Sequence, residues 1–284
     1  RIAKHAHIAT LDIESPEFIE IHDQACIGYE VTLAPYAFLN GKLRLGPIRV
    51  ESAACIGSRS LIGCNTVIGE NAVIGELTLV EAGAHIKSEE HWQGSPRKKV
   101  VPSTSSNPIL PAVPIKWTLG HRMFFLFMIF LLFHVSYHGA LAGILLTSEL
   151  MSKFGIPGLL LAIPASGLAF TVLVCFFIFV VKHLLPRLEL GNHPISSRNG
   201  LVKWVGDKLM ETSLFFTNPL YSTMYTPLWL RGLGAKIGRG AEISTVSDID
   251  PDFLTLGDEC FLADLASIGP ATYGKGYFRL SETW

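Results

Sequence analysis

Residues 56–80 read IGSRSLIGCNTVIGENAVIGELTLV, with an aliphatic residue at every sixth position, Ile56, Ile62, Ile68, Ile74 and Val80, and Gly directly after the first four. Six matches neither the helical period nor simple strand alternation, and a fixed short period of this kind marks a solenoid. Stepping outward by six adds Val50 and Ile86; after one five-residue step the series continues as Leu45, Leu39, Leu33, Ile27 and Ile21. The expected fold is all-β, a left-handed parallel β-helix. Each hexapeptide supplies a short strand and a corner, three hexapeptides complete a coil, and the aliphatic residue points into the prism. Gly57, Gly63, Gly69 and Gly75 relieve crowding at the corners.

This ladder is assigned to residues 1–96. Residues 97–116 form a Pro/Ser-rich linker within HWQGSPRKKVVPSTSSNPILPAVP, after which the chain turns apolar. Residues 123–148 and 155–181 contain no Asp, Glu, Lys or Arg. Each run exceeds the ~20 residues that cross a hydrocarbon core, so residues 117–186 are expected to form a transmembrane helical hairpin joined at ELMSKF. Lys116, Arg122, Lys182, Arg187 and Arg198 flank its outer ends and only Lys153 its connection, which places the outer ends and the β-helix on the cytosolic face of an integral membrane protein. Residues 187–232 are expected to hold an interfacial helix and a connector, with Lys203, Asp207, Lys208 and Glu211 as its charged members.

From residue 233 the ladder begins again and remains incomplete at residue 284. A shift of 235 aligns residues 1–45 with 236–280 without a gap, matching Ile2 with Ile237, Ile8 with Ile243, Phe18 with Phe253, Asp23 with Asp258, Gly41 with Gly276 and Arg44 with Arg279. The chain is thus one unit of β-helix plus hairpin, followed by the opening coils of a neighbouring β-helix repeat. It opens at Arg1 with no leader, and is expected to be part of a longer protein.

Composition agrees with a bilayer partner. Charged residues make up 17% and hydrophobic ones 49% of the chain, and the net charge of −1 gives no basis for nucleic-acid binding. Five cysteines without a CxxC spacing are expected to be reduced, structural thiols.

The order of these elements, together with TPLWLRGLGAKIGRGAEI and DIDPDFLTLGDECFLAD, resembles the carboxy-terminal region of ε-poly-lysine-synthetase-like proteins, a nonribosomal-peptide-synthetase-like family. The resemblance covers essentially the whole chain. It implies adenylation and carrier domains in the same protein, and a β-helix module that assists acyl or aminoacyl transfer from a carrier-bound phosphopantetheine thioester to an amine.

In hexapeptide acyltransferases a pantetheine arm lies between β-helices and a His accepts the proton of the attacking group. Candidate bases are His5, His7, His22, His85 and His91; His22, His85 and His91 are favoured by their positions beside ladder residues and at the exit of the ladder. The exit segment HWQGSPRK is similar to the Gly-x-Pro-Ala-Lys turn that closes many such enzymes. Gly94, Arg97 and Lys98 are therefore the candidate phosphate-binding residues, the alternative being a basic membrane-proximal linker that touches anionic lipid. The stretch LAPYAFLNGKLRLGPI, where such an enzyme would project its catalytic His, contains none. No metal site is expected. The three-His zinc set of a γ-carbonic anhydrase is missing, and His134 and His138, four apart in an apolar span, are expected to pair with other helices. Two alternatives stand beside the carrier-linked transferase: a non-catalytic membrane scaffold, and a CoA-dependent O- or N-acyltransferase.

Overall fold

A computed structural model describes residues 1–10, 12–100, 113–247, 249–264, 266–269 and 271–284. Most of the expected linker at 97–116 lies outside them. The chain forms two compact units, the first comprising Arg1–Lys116, Gly191–Ser197 and Ala271–Leu280, the second Trp117–Leu190, Arg198–Pro270 and Ser281–Trp284.

In the first unit the short strands fall into three parallel sheets. One joins His7–Ile8, Cys26–Ile27, Cys55–Ile56, Val73–Ile74 and His91–Gln93; a second joins Ile19–Ile21, Ile48–Val50, Thr66–Ile68 and His85–Ile86; a third joins Thr32–Leu33, Leu61–Ile62 and Leu79–Val80. Ile56 pairs with Ile74 and Ile62 with Val80, steps of 18 residues or three hexapeptides, so consecutive strands pass round the three faces in turn. The ladder residues Ile21, Ile27, Leu33, Val50, Ile56, Ile62, Ile68, Ile74, Val80 and Ile86 are each no more than 1% exposed. At about 1.5–3 kcal/mol for a fully buried aliphatic side chain, this stack is the chief stabilising element of the unit. The glycines follow from how closely the coils approach. A Cβ added at Gly57 would stand 2.6 Å from the Glu76 amide nitrogen in the next coil, where no side-chain rotation relieves the clash.

The ladder is interrupted once. Leu39 and Leu45, expected inside the prism, are 55% and 48% exposed. They lie instead in an antiparallel hairpin, Tyr36–Leu39 with Lys42–Leu45, whose turn residues Asn40 and Gly41 have φ of 52° and 70°. The Gly46 amide donates to the Pro35 carbonyl at 2.9 Å and closes the excursion, and Leu33 pairs with Ile62 across 29 residues instead of 18. The eleven extra residues are looped out. Asn-Gly with both residues at positive φ is the favoured two-residue hairpin turn, a local preference that overrides the hexapeptide count.

In the second unit, α1 (Leu119–Leu184) is long and apolar enough to cross a membrane. Its helical path breaks at Gly155, with φ 62° and ψ −139°. Thr147 Oγ1 meets Ser166 Oγ at 2.9 Å and Ser166 Oγ donates to the Gly143 carbonyl at 3.0 Å, contacts possible only if the two arms run antiparallel. The arms, 119–154 and 156–184, span ~54 and ~43 Å at about 1.5 Å per residue. The reversal therefore falls on one glycine and not on the ELMSKF stretch, which remains helical. His134 and His138 each hold the carbonyl four residues back through Nδ1, at 2.8 Å.

Against these arms pack Val205 and Leu209 of α2 (Arg198–Phe216). Lys203, expected on the solvated face of an interfacial helix, is only 5% exposed. Its ammonium contacts Asp207 at 2.5 Å and Asp250 at 3.0 Å, so neighbouring carboxylates offset the cost of its burial. After α3 (Thr226–Gly232) the second ladder places one parallel strand pair on each of three faces: Lys236–Ile237 with Thr255–Leu256, Glu242–Ile243 with Phe261–Leu262, and Val246–Ser247 with Ala266–Ser267. The 235-residue repeat holds in register, since Ile2 bridges Ile21 as Ile237 pairs with Leu256, and Ile19 pairs with Ile48 as Leu254 bridges Thr283.

Candidate functional site

Strand alternation gives the first sheet two faces. Ile8, Ile27, Ile56, Ile74 and Trp92 pack inward, while His7, Cys26, Cys55, Val73 and His91 form an outward ladder. Within the same unit the hairpin Thr272–Tyr273 with Tyr277–Leu280 contributes to this face: Tyr273 stacks on His7 at 5.2 Å, and Lys275 Nζ donates to Asn71 Oδ1 at 2.9 Å. Burial lowers the His7 pKa to about 4, which keeps its ring neutral near pH 7. The Cys26 thiol, 3.8 Å from His7 Nδ1, is pushed well up by hydrogen bonding to Cys55 and by burial. It stays protonated and unreactive, as expected for a structural thiol.

His91, at the end of the ladder, is half-buried. Desolvation, and secondarily the Lys275 ammonium, lower its pKa, so the imidazole is neutral and able to accept a proton. Beside it the exit turn is held by Glu90, which accepts from Lys99 Nζ at 2.8 Å, Trp92 Nε1 at 3.0 Å and the Lys87 amide at 3.2 Å. Lys99 first, then Trp92, lowers the Glu90 pKa from 4.5 to about 2. A depressed carboxyl stabilises the fold above its unfolded value, and that contribution fades as pH falls from 4.5 toward 2. The Trp92 indole N–H resonance is therefore expected to titrate with a midpoint near pH 2, and a Glu90→Gln variant to lose the transition. A midpoint above pH 4 would separate Glu90 from Lys99.

The three histidines proposed from sequence are not brought together. His22 follows the Ile19–Ile21 strand and faces Glu51 at 3.4 Å, and exposed His85 lies on the strand at the opposite edge of the same sheet. Three strand spacings of about 4.8 Å put ~14 Å between them. His91 belongs to a different sheet. In the exit turn the Gly94 amide donates to Thr78 Oγ1 at 3.1 Å, and Arg97 pairs with Glu81 and lies 5.3 Å over the Trp92 ring. Gly94 and Arg97 are thus engaged within the turn, whereas Lys98 is exposed on the short antiparallel strand that ends the sheet. Nothing local in the sequence marks Lys275 and Tyr273. Lys275 meets Asn71 across 204 residues, and no local pattern marks such a contact. Among the described residues no group of three His, Cys, Asp or Glu is arranged to hold a metal ion.

The chain shares partial likeness with several solved acyltransferase structures. A variant of AntD, an N-acyltransferase from Bacillus cereus in complex with dTDP-4-amino-4,6-dideoxyglucose and coenzyme A, is 23% identical over 34% of this chain and 59% of its own, with a TM-score of 0.29. A hexapeptide-repeat-containing acetyltransferase from Vibrio cholerae is 19% identical over 36% and 61%, with a TM-score of 0.30. By sequence, the whole chain is 28% identical, over an alignment of 296 positions with gaps counted, to a delta-poly-L-ornithine synthetase from Acinetobacter baumannii (strain AB307-0294), and spans 22% of that protein. No family model matches the chain.

Proposed function

We propose that this chain is a membrane-anchored module of a nonribosomal-peptide-synthetase-like enzyme, a left-handed β-helix that assists transfer of an acyl or aminoacyl group from a carrier-borne phosphopantetheine thioester to an amine. The observation that carries this reading is the likeness to the ornithine polymer synthetase along the entire chain, helical arms included. The long apolar α1 supports anchoring in the bilayer, with the β-helix on the cytosolic side. His91 is the residue suited to move the proton. As the amine nitrogen bonds to the thioester carbonyl and the C–S bond breaks, a neutral imidazole takes the proton from nitrogen and returns it to the departing thiolate. A carrier-borne donor brings its own binding energy, so the module need only orient amine and thioester.

In the full synthetase, His91→Ala is expected to lower product formation ~100-fold while adenylation and carrier loading continue, with His22→Ala and His85→Ala close to the parent enzyme. A normal rate for His91→Ala would leave the second reading, a non-catalytic membrane platform for the catalytic domains. That reading draws on a specific feature: the Gly94 amide and the Arg97 guanidinium are committed to Thr78 and Glu81.

A further inference from the structure

The repeat supplies two copies of one hairpin in different surroundings. Residues 37–45, AFLNGKLRL, and 272–280, TYGKGYFRL, share length, the turn glycine (Gly41, Gly276) and the closing Arg-Leu (Arg44–Leu45, Arg279–Leu280). In the later copy Tyr277–Leu280 pairs on one side with Thr272–Tyr273 and on the other with Gly191–Pro194, in the register His193 to Phe278 and Gly191 to Leu280. Its apolar face, Tyr273, Phe278 and Leu280, turns onto the coil of the first unit; Phe278 is 1% and Leu280 3% exposed.

The earlier copy presents the same face without that cover. Tyr36 pairs with Leu45 and Phe38 with Leu43, so these four side chains share one side of the hairpin. Phe38 is 76%, Leu43 55% and Leu45 48% exposed. A contiguous apolar patch on a projecting two-stranded ribbon is a docking surface, and such a ribbon is only marginally stable alone. The later copy identifies what covers it.

We infer that the 36–45 hairpin docks onto a second copy of this repeat unit: its outer strand adds antiparallel to a segment equivalent to Gly191–Pro194, and its apolar face seats on that unit's outward ladder. By the 235 shift, the position equivalent to His193 faces Leu43 and that equivalent to Gly191 faces Leu45. Backbone pairing supplies affinity, and the aliphatic pair selects the coil surface. Hairpin-to-coil docking would then join successive units of an array.

The test has two arms, both on the full chain in detergent. First, residues 272–280 are replaced by the sequence of residues 37–45. Hydrogen exchange at 191–193 is expected to stay within about twofold of the parent, and to rise at least tenfold when Leu43 and Leu45 of the transplanted segment are both aspartate. Second, a peptide of residues 189–197 in excess is expected to slow exchange at 42–45 severalfold in the parent chain and not in a Leu43→Asp variant. Loss of protection at 191–193 in the swapped chain, with exchange of the first ladder unchanged, would overturn the inference. So would protection of 42–45 by phosphatidylcholine–phosphatidylglycerol vesicles but not by the peptide, which would assign the patch to a bilayer.

Discussion

Replacing Ile68 with Asp is expected to destabilise the first ladder by about 4 kcal/mol or more. Ile68 is 0% exposed, and its strand lies between Val50 and Ile86, so the stack continues above and below it. The substitution removes a buried aliphatic side chain and puts a carboxyl among hydrocarbon groups, where it must stay protonated or forgo solvation. Glu70→Lys, two residues on, is expected to change stability by no more than about 0.5 kcal/mol. Glu70 is exposed, and the contact it makes to the next coil, accepting from the Glu89 amide at 2.9 Å, uses its backbone carbonyl. Hydrogen exchange of the first ladder in detergent measures both. Equal losses would mean that the inward register is wrong.

Lys203→Met should be nearly as damaging, with a pH dependence that identifies the cause. Removing one member of a buried ion cluster typically costs about 3–5 kcal/mol, because the remaining charges lose their compensation. Asp207, already raised to about 6 by burial, would face Asp250 without the ammonium that now holds both. In the parent protein, a carboxyl raised above its unfolded value of 3.8 favours the fold at low pH, and that contribution declines as pH rises through about 6. In the variant Asp207 loses the ammonium that opposes its rise and binds its proton more tightly still, so the deficit against the parent is expected to be largest at pH 8 and to shrink by pH 5. Thermal unfolding in detergent at the two pH values decides the matter; a deficit independent of pH would point to lost packing of the lysine stem. Asp207→Asn in the Lys203→Met background should recover part of the loss.

Much of the architecture was legible because it is periodic. Ile56, Ile62, Ile68 and Ile74 report a prism interior, since each coil buries the same position and a polar residue there would be felt at once. The apolar arms announce themselves by length, and the charged break between them marks a reversal, although Gly155 alone makes it. The hairpin at 36–45 is hidden despite its Asn40-Gly41 turn, because Leu39 and Leu45 fall on the six-residue period without lying in the ladder. Lys203 looked like a surface charge because its partner Asp250 lies 47 residues away and belongs to the opening of the second ladder.

The sequence alone determined the 18-residue coil, the inward aliphatic positions, the apolar arms and the 235-residue repeat, each written in spacings that local chain geometry converts into structure. Only the tertiary structure decided which charged and aromatic groups meet. It stacked Tyr273 on His7, brought Lys275 to Asn71 beside His91, and set Lys203 between Asp207 and Asp250. It also separated His22, His85 and His91, which in sequence formed one candidate set. The reason is physical: inward positions answer to a repeating environment and must repeat themselves, whereas outward positions answer to whichever distant segment covers them, and that pairing has no period.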